Sequence, residues 1–263
     1  MSTNPSADLL SSEDRDFVTA LASGLEVILA FDSDHPCMTL SEVAARTGMN
    51  RARARRFLLT LHSLGYLRKQ NRHFELAPRT LQLGYAYLSA NNYRSVIQQH
   101  LEDITATLGE SSSLAVLDGH DVMYVARSAA QHRLMAITLS VGTRLPATAT
   151  SMGRILMAFL PDDEREALLD EIELKPYTER TIIDKRLLRD CLEEIRHQGY
   201  CIVDQELDPG LRSLAVPAFD ANDRLLGAIN ISTNAARIEL ATLTDDFLPL
   251  LQEKTRQIRM QVT

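Results

Sequence analysis

The chain has 263 residues, of which 45% are hydrophobic, and a formal net charge of −7 at pH 7. This length leaves room for two domains, and this hydrophobic content excludes a disordered chain. No apolar run approaches the roughly 18 residues of a membrane span. Residues 1–16 lack the pattern of a signal or transit peptide. The three cysteines form no CxxC pair. We therefore expect a protein of the reducing cytoplasm, with no membrane partner and no disulfide framework.

The charge is divided unevenly along the chain. Residues 1–45 carry a net charge of −7, residues 46–79 carry +8 from nine bases and one acid, and residues 80–263 carry −8. A basic segment within an acidic chain is typical of a surface that binds phosphates. Charge alone also allows a solvated face that binds nothing. The secondary structure predicted around the segment distinguishes the two interpretations.

Three helices are predicted at the start of the chain. Apolar residues spaced three or four apart, behind a capping box at Ser11–Asp14, predict a helix over residues 12–31. After a polar loop, a second capping box (Thr39-Leu40-Ser41-Glu42) opens a short helix that Gly48 ends. Asn50 then caps a third helix over about residues 51–64.

The third helix carries an apolar stripe and a basic side. A helix, a tight glycine turn and a second helix with arginines in its first turns have the layout of a helix-turn-helix, whose second helix lies in the major groove of DNA. Arginine suits this position because its planar fork bonds bidentately to guanine or holds a phosphate. A three-helix unit of this kind also occurs in protein-interaction domains.

A basic hairpin follows the third helix. Residues 66–67 and 73–76 predict two short strands, joined by a polar turn over residues 68–72 that serves as a wing. The helix and the wing together give the predicted contacts with double-stranded operator DNA, which are Arg46, Asn50, Arg51, Ala52, Arg53, Arg55, Arg56, Arg68, Lys69 and Arg72.

The rest of the chain predicts a linker and a larger domain. The boundaries are a winged helix-turn-helix domain over residues 1–78, a linker helix over 79–92 and a second domain over 93–263. In that domain, helices are predicted at 93–108, 151–160, 162–172, 185–198 and 243–260, and strands at 113–117, 122–127, 134–139, 200–204, 213–219 and 225–232. An antiparallel sheet with helices on its faces is an α+β fold.

Two features of the larger domain suit the binding of an organic anion. Residues 142–154 bring small and hydroxyl residues to a helix start near Ser151, where free N–H groups and the helix dipole favour an anion, and Arg144 or Arg154 would add a charge. Polar residues also interrupt the apolar strands, where they would orient a ligand, at Asp204, Ser213, Asn230 and Ser232. A helix cap with surface arginines, and a solvent-facing strand, explain the same patterns.

Catalytic signals are weak in this sequence. The seven histidines show no HExxH spacing, and the chain has no GxSxG elbow, Walker loop or GxGxxG. We therefore predict no catalytic residue, no metal and no cofactor. Two other functions stay open: an enzyme acting on a small acid, in which the winged helix serves oligomerisation, and an assembly protein that needs no ligand.

The chain resembles the IclR family of bacterial regulators over nearly its whole length. The resemblance rests on segments that occur in the family's order: Leu40–Gly48, Arg51–Leu61, His62–Leu67, Gly142–Pro146, Ala149–Arg154, Gly199–Tyr200, Val203–Glu206, Gly210–Ser213 and Ala228–Ser232. Residues 51–61, 143–147 and 203–207 are similar to the branch that controls protocatechuate, para-hydroxybenzoate and β-ketoadipate catabolism, which includes activators and repressors.

The resemblance implies a specific architecture and ligand. It implies a GAF-like effector-binding domain, homodimers formed through the DNA-binding half and, in many members, tetramers. By position, the family's effector contacts fall on Ser151, Met152, Asp204, Ser213, Asn230 and Ser232. The expected function is a DNA-binding transcription regulator controlled by a small organic acid, either an aromatic acid or a β-ketoadipate-type dicarboxylate.

Overall fold

The computed structural model of the chain describes residues 10–90, 93–130 and 139–262. The chain forms two compact units, Met1–Asn91 and Asn92–Thr263. The predicted linker helix therefore belongs to the first unit. None of the described helices is long and apolar enough to cross a membrane.

The N-terminal unit is a helix-turn-helix with a small sheet. Its elements are α1 (Thr19–Leu29), β1 (Cys37–Thr39), α2 (Leu40–Arg46), α3 (Arg51–Ser63), β2 (Leu67–Gln70), β3 (His73–Leu76), a 3-10 turn (Pro78–Thr80) and α4 (Leu81–Ala90). The three strands are antiparallel in the order β1-β3-β2. Val27, Met38, Val43, Leu58 and Phe74 pack together as its core.

Both predicted caps of the helix-turn-helix are confirmed. The Thr39 hydroxyl accepts from the Glu42 N–H while the Glu42 carboxylate accepts from the Thr39 N–H, which closes a capping box. The Asn50 side chain accepts from the Arg53 N–H. Gly48 takes a positive φ of 64° between the two helices, a conformation that glycine adopts without strain.

Three details of this unit differ from the prediction. Strand β2 extends to Gln70, through residues predicted as the turn of the wing. The first helix begins at Thr19 and not at residue 12, because Ser11 and Asp14 close a separate turn and buried contacts start only at Ser23 and Val27. Strand β1 was predicted as loop. Three residues are too few to show a period, yet Met38 is buried opposite Phe74 on β3.

The C-terminal unit is an α+β domain, as predicted. Its elements are α5 (Arg94–Leu108), β4 (Ser111–Asp118), β5 (Asp121–Ser128), β6 (Arg144–Pro146), a 3-10 turn (Ala147–Ala149), α6 (Ser151–Ala158), α7 (Asp162–Glu171), α8 (Lys185–Gln198), β7 (Cys201–Asp204), β8 (Leu211–Phe219), β9 (Leu225–Asn234), α9 (Leu240–Thr242), a π-helical turn (Leu243–Phe247) and α10 (Leu248–Gln261). The strand predicted at 134–139 lies almost entirely outside the described residues.

One antiparallel sheet separates two apolar layers. Its order is β6-β5-β4-β9-β8-β7, and β8 pairs with β9 across the predicted turn. Helices α5 and α10 pack on one face, around Ile104, Leu214 and Ile229, while α6 and α8 pack on the other, around Met152, Leu192 and Ala215. Strand β6 lies in a segment predicted as loop.

Candidate nucleic-acid interface and ligand cavity

Helix α3 buries one side and exposes its arginines on another. Ala54, Leu58 and Leu61 are buried in the core of the unit. Arg51, Ala52, Arg55 and Arg56 are exposed, and the three arginines make no ion pair within the part of the chain that the structure describes. Three charged forks thus stay available for an external anion.

A basic groove runs between α3 and the wing, which is formed by β2, β3 and their turn. Its volume is about 880 Å³, and four of its lining residues are cations: Arg51, Arg55, Lys69 and Arg72. No aspartate or glutamate is among the lining residues, which also include Thr39, Ser41 and Asn71. A groove with one sign of charge focuses the field that attracts a polyanion.

Three of the predicted DNA contacts are also held inside the unit. Arg46 Nη2 lies 2.6 Å from Asp32 Oδ2, and Arg53 Nη2 donates to Ser23 Oγ at 2.6 Å. The Asn50 side chain is occupied as the cap of α3. Arg68 is exposed on β2 opposite Glu75. The predicted DNA contacts therefore divide into exposed cations without an ion pair among the described residues and residues that also hold helices in place.

The C-terminal unit contains a cavity between the sheet and the start of α6. Its empty volume, which includes solvent at the mouth, is about 350 Å³. Four predicted effector contacts line it, namely Ser151, Ser213, Asn230 and Ser232. The other lining residues are Tyr124, Leu139, Leu145, Ala149, Thr150, Val203, Leu207 and Leu211.

Two buried polar atoms of the cavity wall lack a partner. The Ser151 side chain and the Asn230 side chain are 1% and 3% exposed, and neither Ser151 Oγ nor Asn230 Oδ1 has a hydrogen-bond partner among the described residues. Asn230 Nδ2 donates to Ser232 Oγ at 3.1 Å, which orients the amide. A buried polar atom without a partner costs about 1–3 kcal/mol, so both atoms favour a polar ligand.

The start of α6 is held against the loop before it. Thr150 caps the helix by accepting from the Gly153 N–H at 3.2 Å. A Cβ at Gly153 would lie 2.1 Å from the Ala147 carbonyl oxygen, so only glycine allows this approach. The first turn of α6, whose amides favour an anion, is thereby fixed beside Ser151.

Arg154 is buried next to the cavity and is already neutralised. Its Nη1 and Nη2 lie 2.7 and 2.5 Å from the two carboxylate oxygens of Glu206, and its Nε donates to the Thr148 carbonyl at 2.8 Å. Glu206 also accepts from the Ile182 N–H at 3.0 Å. Arg154 therefore joins α6 to the loop before it and to the loop after β7, and it does not line the cavity.

Three further predicted contacts also lie outside the cavity lining. Met152 is buried in the apolar layer under α6. Asp204 accepts from Arg212 Nε at 2.7 Å and from Arg180 Nη1 at 2.5 Å, and despite its partial burial these arginines hold the pKa of its carboxyl below the ordinary value. Arg144 is exposed, where it bonds to Asp118 and Asp121.

The sequence prediction missed Tyr124 in the cavity wall. Its side chain is 3% exposed, and burial raises its pKa to about 12, so the hydroxyl stays neutral at physiological pH. A tyrosine within an apolar strand gives no sequence signal beyond packing, because its face depends on the pairing of β5. Within the described part of the chain, no three histidine, cysteine, aspartate or glutamate side chains are grouped to hold a metal ion.

Comparison with family models matches both units. The model described as IclR helix-turn-helix domain matches residues 20–71, and the model described as bacterial transcriptional regulator IclR C-terminal matches residues 85–260. The Pca regulon regulatory protein of Pseudomonas putida is 43% identical over 249 residues, which is 95% of this chain and 86% of that protein.

Solved structures agree with this match. A transcriptional regulator of Rhodococcus sp. RHA1 superposes with a TM-score of 0.82 at 46% identity, over 94% of this chain and 98% of that one. The inducer-binding domain of a PobR double mutant from Acinetobacter, solved with 3-hydroxybenzoic acid, has a TM-score of 0.60 at 30% identity, over 64% of this chain and 98% of that one.

Proposed function

Since the chain belongs to the IclR family of bacterial transcriptional regulators, we propose that it binds operator DNA through α3 and the wing under the control of an organic acid held in the cavity. Its relatives are named as regulators and not as enzymes. The chain is accordingly a DNA-binding regulator and not an enzyme.

The two unpartnered atoms of the cavity carry the ligand part of this proposal. Ser151 Oγ at the start of α6 suits an acceptor such as a carboxylate oxygen or a hydroxyl, and Asn230 Oδ1 suits a hydroxyl donor. A hydroxylated acid offers both kinds of group, a β-ketoadipate-type dicarboxylate offers only acceptors for Ser151, and an apolar ligand would leave both atoms unpaired. Ser213 and Ser232 complete the polar part of the wall.

The relatives favour an aromatic acid or a product of its breakdown. They include regulators named for the pca regulon and for p-hydroxybenzoate hydroxylase, and one solved relative contains 3-hydroxybenzoic acid. We propose an effector that is an aromatic acid or a β-ketoadipate-type dicarboxylate. Leu139, Leu145 and Val203 supply the apolar walls that either kind of ligand would need.

A thermal-shift panel tests the ligand. A ligand that binds only the folded chain stabilises it by about 2.7 kcal/mol at a hundred times its Kd, which raises the Tm. We expect at least one of 4-hydroxybenzoate, protocatechuate and β-ketoadipate to raise the Tm and to change a gel shift with DNA upstream of the chain's own gene. An unchanged Tm with all three acids would contradict the proposal.

A matched pair of serine variants locates the site. Ser151→Ala removes a buried hydroxyl without a partner, so the free protein is expected to be as stable as wild type or more stable, while the acid-induced Tm rise falls. Ser112→Ala is the control, because the Ser112 hydroxyl donates to the Leu101 carbonyl at 2.8 Å on the opposite face of the sheet. That control is expected to lower the Tm and to keep the response to acid.

We also propose that the chain acts as a homodimer through its N-terminal unit. Leu21, Leu25 and Leu29 of α1 are 64%, 46% and 79% exposed, and Leu81 and Tyr85 of α4 are 76% and 69% exposed. Apolar surface of this extent on two helices is typical of an interaction face. Light scattering tests this face, because we expect the Leu21→Glu and Leu29→Glu variants to be monomers. We also propose that the dimers form tetramers and that the protein is cytoplasmic.

A further inference from the structure

Arg127 on β5 is a partly buried cation that no carboxylate of the described residues neutralises. Its Nη1 donates to Ser113 Oγ at 3.1 Å, and it makes no ion pair within residues 10–90, 93–130 and 139–262. The buried arginines of the same unit behave differently, because Arg154, Arg165 and Arg212 each contact an aspartate or glutamate. The charge of Arg127 is therefore under-compensated.

A β-bulge aims Arg127 at the ligand side of the sheet. Ala115 pairs with Tyr124 while the neighbouring Leu114 pairs with Ala126, so Val125 is an extra residue in β5. Strict alternation from Tyr124, which lines the cavity, would place residue 127 on the α5 side. The bulge reverses this, as bulges beside functional sites often do.

Hydrogen bonds on the two faces of β4 confirm this direction. Ser112 donates to the Leu101 carbonyl on α5, so its neighbour Ser113 projects from the opposite face, where Arg127 meets it. Ser113 pairs across the ladder with Asn230, whose side-chain oxygen has no partner in the described chain. Ser113 therefore lies between Arg127 and Asn230, which lines the cavity.

Burial also disfavours the charged form of Arg127. Desolvation by burial lowers the pKa of its guanidinium. A carboxylate at this position would restore the lost solvation and would bond to two guanidinium nitrogens at once.

We propose that Arg127 binds the carboxylate of the effector and that Ser113 is its positioning residue. This inference rests on the proposed function. It adds the side chain that makes the site bind acids more tightly than neutral analogues. An acid anchored on Arg127 would place its remaining polar groups towards Asn230 and Ser151. A neutral amide of the same shape would gain little from the guanidinium.

Binding of matched acids and amides tests the proposal. The full chain and Arg127→Gln are titrated with 4-hydroxybenzoate, protocatechuate and β-ketoadipate, and with the neutral amide of each. For any acid that binds wild type, we expect Arg127→Gln to weaken binding by at least about tenfold, with the amide changed less than about threefold. Arg186→Gln is the control, since Arg186 is exposed on α8, and it should change neither.

Arginine modification of the wild-type chain provides a second measurement that needs no variant. Phenylglyoxal labelling followed by mass spectrometry should show that a bound acid protects Arg127 while its amide does not. Equal acid affinity in wild type and Arg127→Gln, or labelling of Arg127 that bound acid leaves unchanged, would overturn the role of Arg127 and leave the proposed function intact. Failure of all three acids to bind wild type would overturn both.

Discussion

Arginine has opposite surroundings in the two units of this protein. On α3 and the wing, Arg51, Arg55 and Arg72 line a groove that no acidic residue shares. In the C-terminal unit, Arg154 and Arg212 are buried against Glu206 and Asp204. The role of an arginine thus depends on where the nearest carboxylate lies, which local sequence does not show.

The largest expected effect comes from breaking a buried pair. Arg154→Met leaves Glu206 buried without its cation, so we expect the free energy of unfolding to fall by about 3–5 kcal/mol in urea denaturation. The double variant Arg154→Met/Glu206→Leu should recover part of this loss. If the single variant unfolds at the same urea concentration as wild type, Arg154 does not fix the cavity walls.

The close approach at Gly153 comes next. A Cβ there meets the Ala147 backbone, and we expect Gly153→Ala to cost about 1–3 kcal/mol of stability and to weaken the Tm rise with acid. Gly84→Ala on α4 is the matched control, because a Cβ at Gly84 meets no atom within 4 Å and alanine favours a helix by about 1 kcal/mol. Equal effects of the two changes on the melting temperature would show that Gly153 and the Ala147 backbone are farther apart in solution.

Substitutions on α3 compare Arg55, which makes no ion pair among the described residues, with Arg53, which bonds to Ser23. The quantities compared are DNA affinity and melting temperature. Arg55→Ala should weaken operator binding by about 1–3 kcal/mol and leave the melting temperature near wild type. Arg53→Ala removes a bond to Ser23 on α1 and should have the smaller effect on DNA affinity and the larger one on stability. Fluorescence anisotropy and thermal melts measure both quantities, and the reverse order would mean that the groove is not the DNA surface.

The smallest effect is expected at an exposed pair of salt bridges in the C-terminal unit, both made by Arg144. Arg144, whose side chain is 41% exposed, bonds to Asp118 and Asp121 on the sheet edge. Arg144→Ala should change the free energy of unfolding by less than about 1 kcal/mol and leave the thermal response to acid unchanged. Loss of the acid-induced Tm rise in this variant would mean that Arg144 does contact the effector, as the sequence predicted.

Local sequence predicts the DNA-binding half well because its signals are local. The Thr39 and Asn50 caps, the glycine turn at Gly48 and the arginines of α3 all depend on near neighbours in sequence. The three residues of β1 were missed because their pairing with β3 crosses more than thirty residues.

The cavity is harder to predict because its chemistry depends on strand pairing. Ser213, Asn230 and Ser232 were predicted because they interrupt apolar strands, and Ser151 because it lies at a helix start; the four line one cavity. Asp204 also interrupts a strand and Arg154 also lies near the helix start, but Asp204 is paired with two arginines and Arg154 with Glu206. Tyr124 and Arg127 gave no sequence signal, since a bulge decides which face they share.

The central claim is that the cations of α3 form the surface that binds operator DNA. Its most direct test is the salt dependence of binding to DNA upstream of the chain's own gene, for wild type and for Arg51→Gln/Arg55→Gln/Arg56→Gln. We expect the triple variant to bind at least about a hundredfold more weakly, with a shallower slope of affinity against salt, because three phosphate or base contacts are lost. Wild-type affinity and an unchanged slope in that variant would contradict the claim.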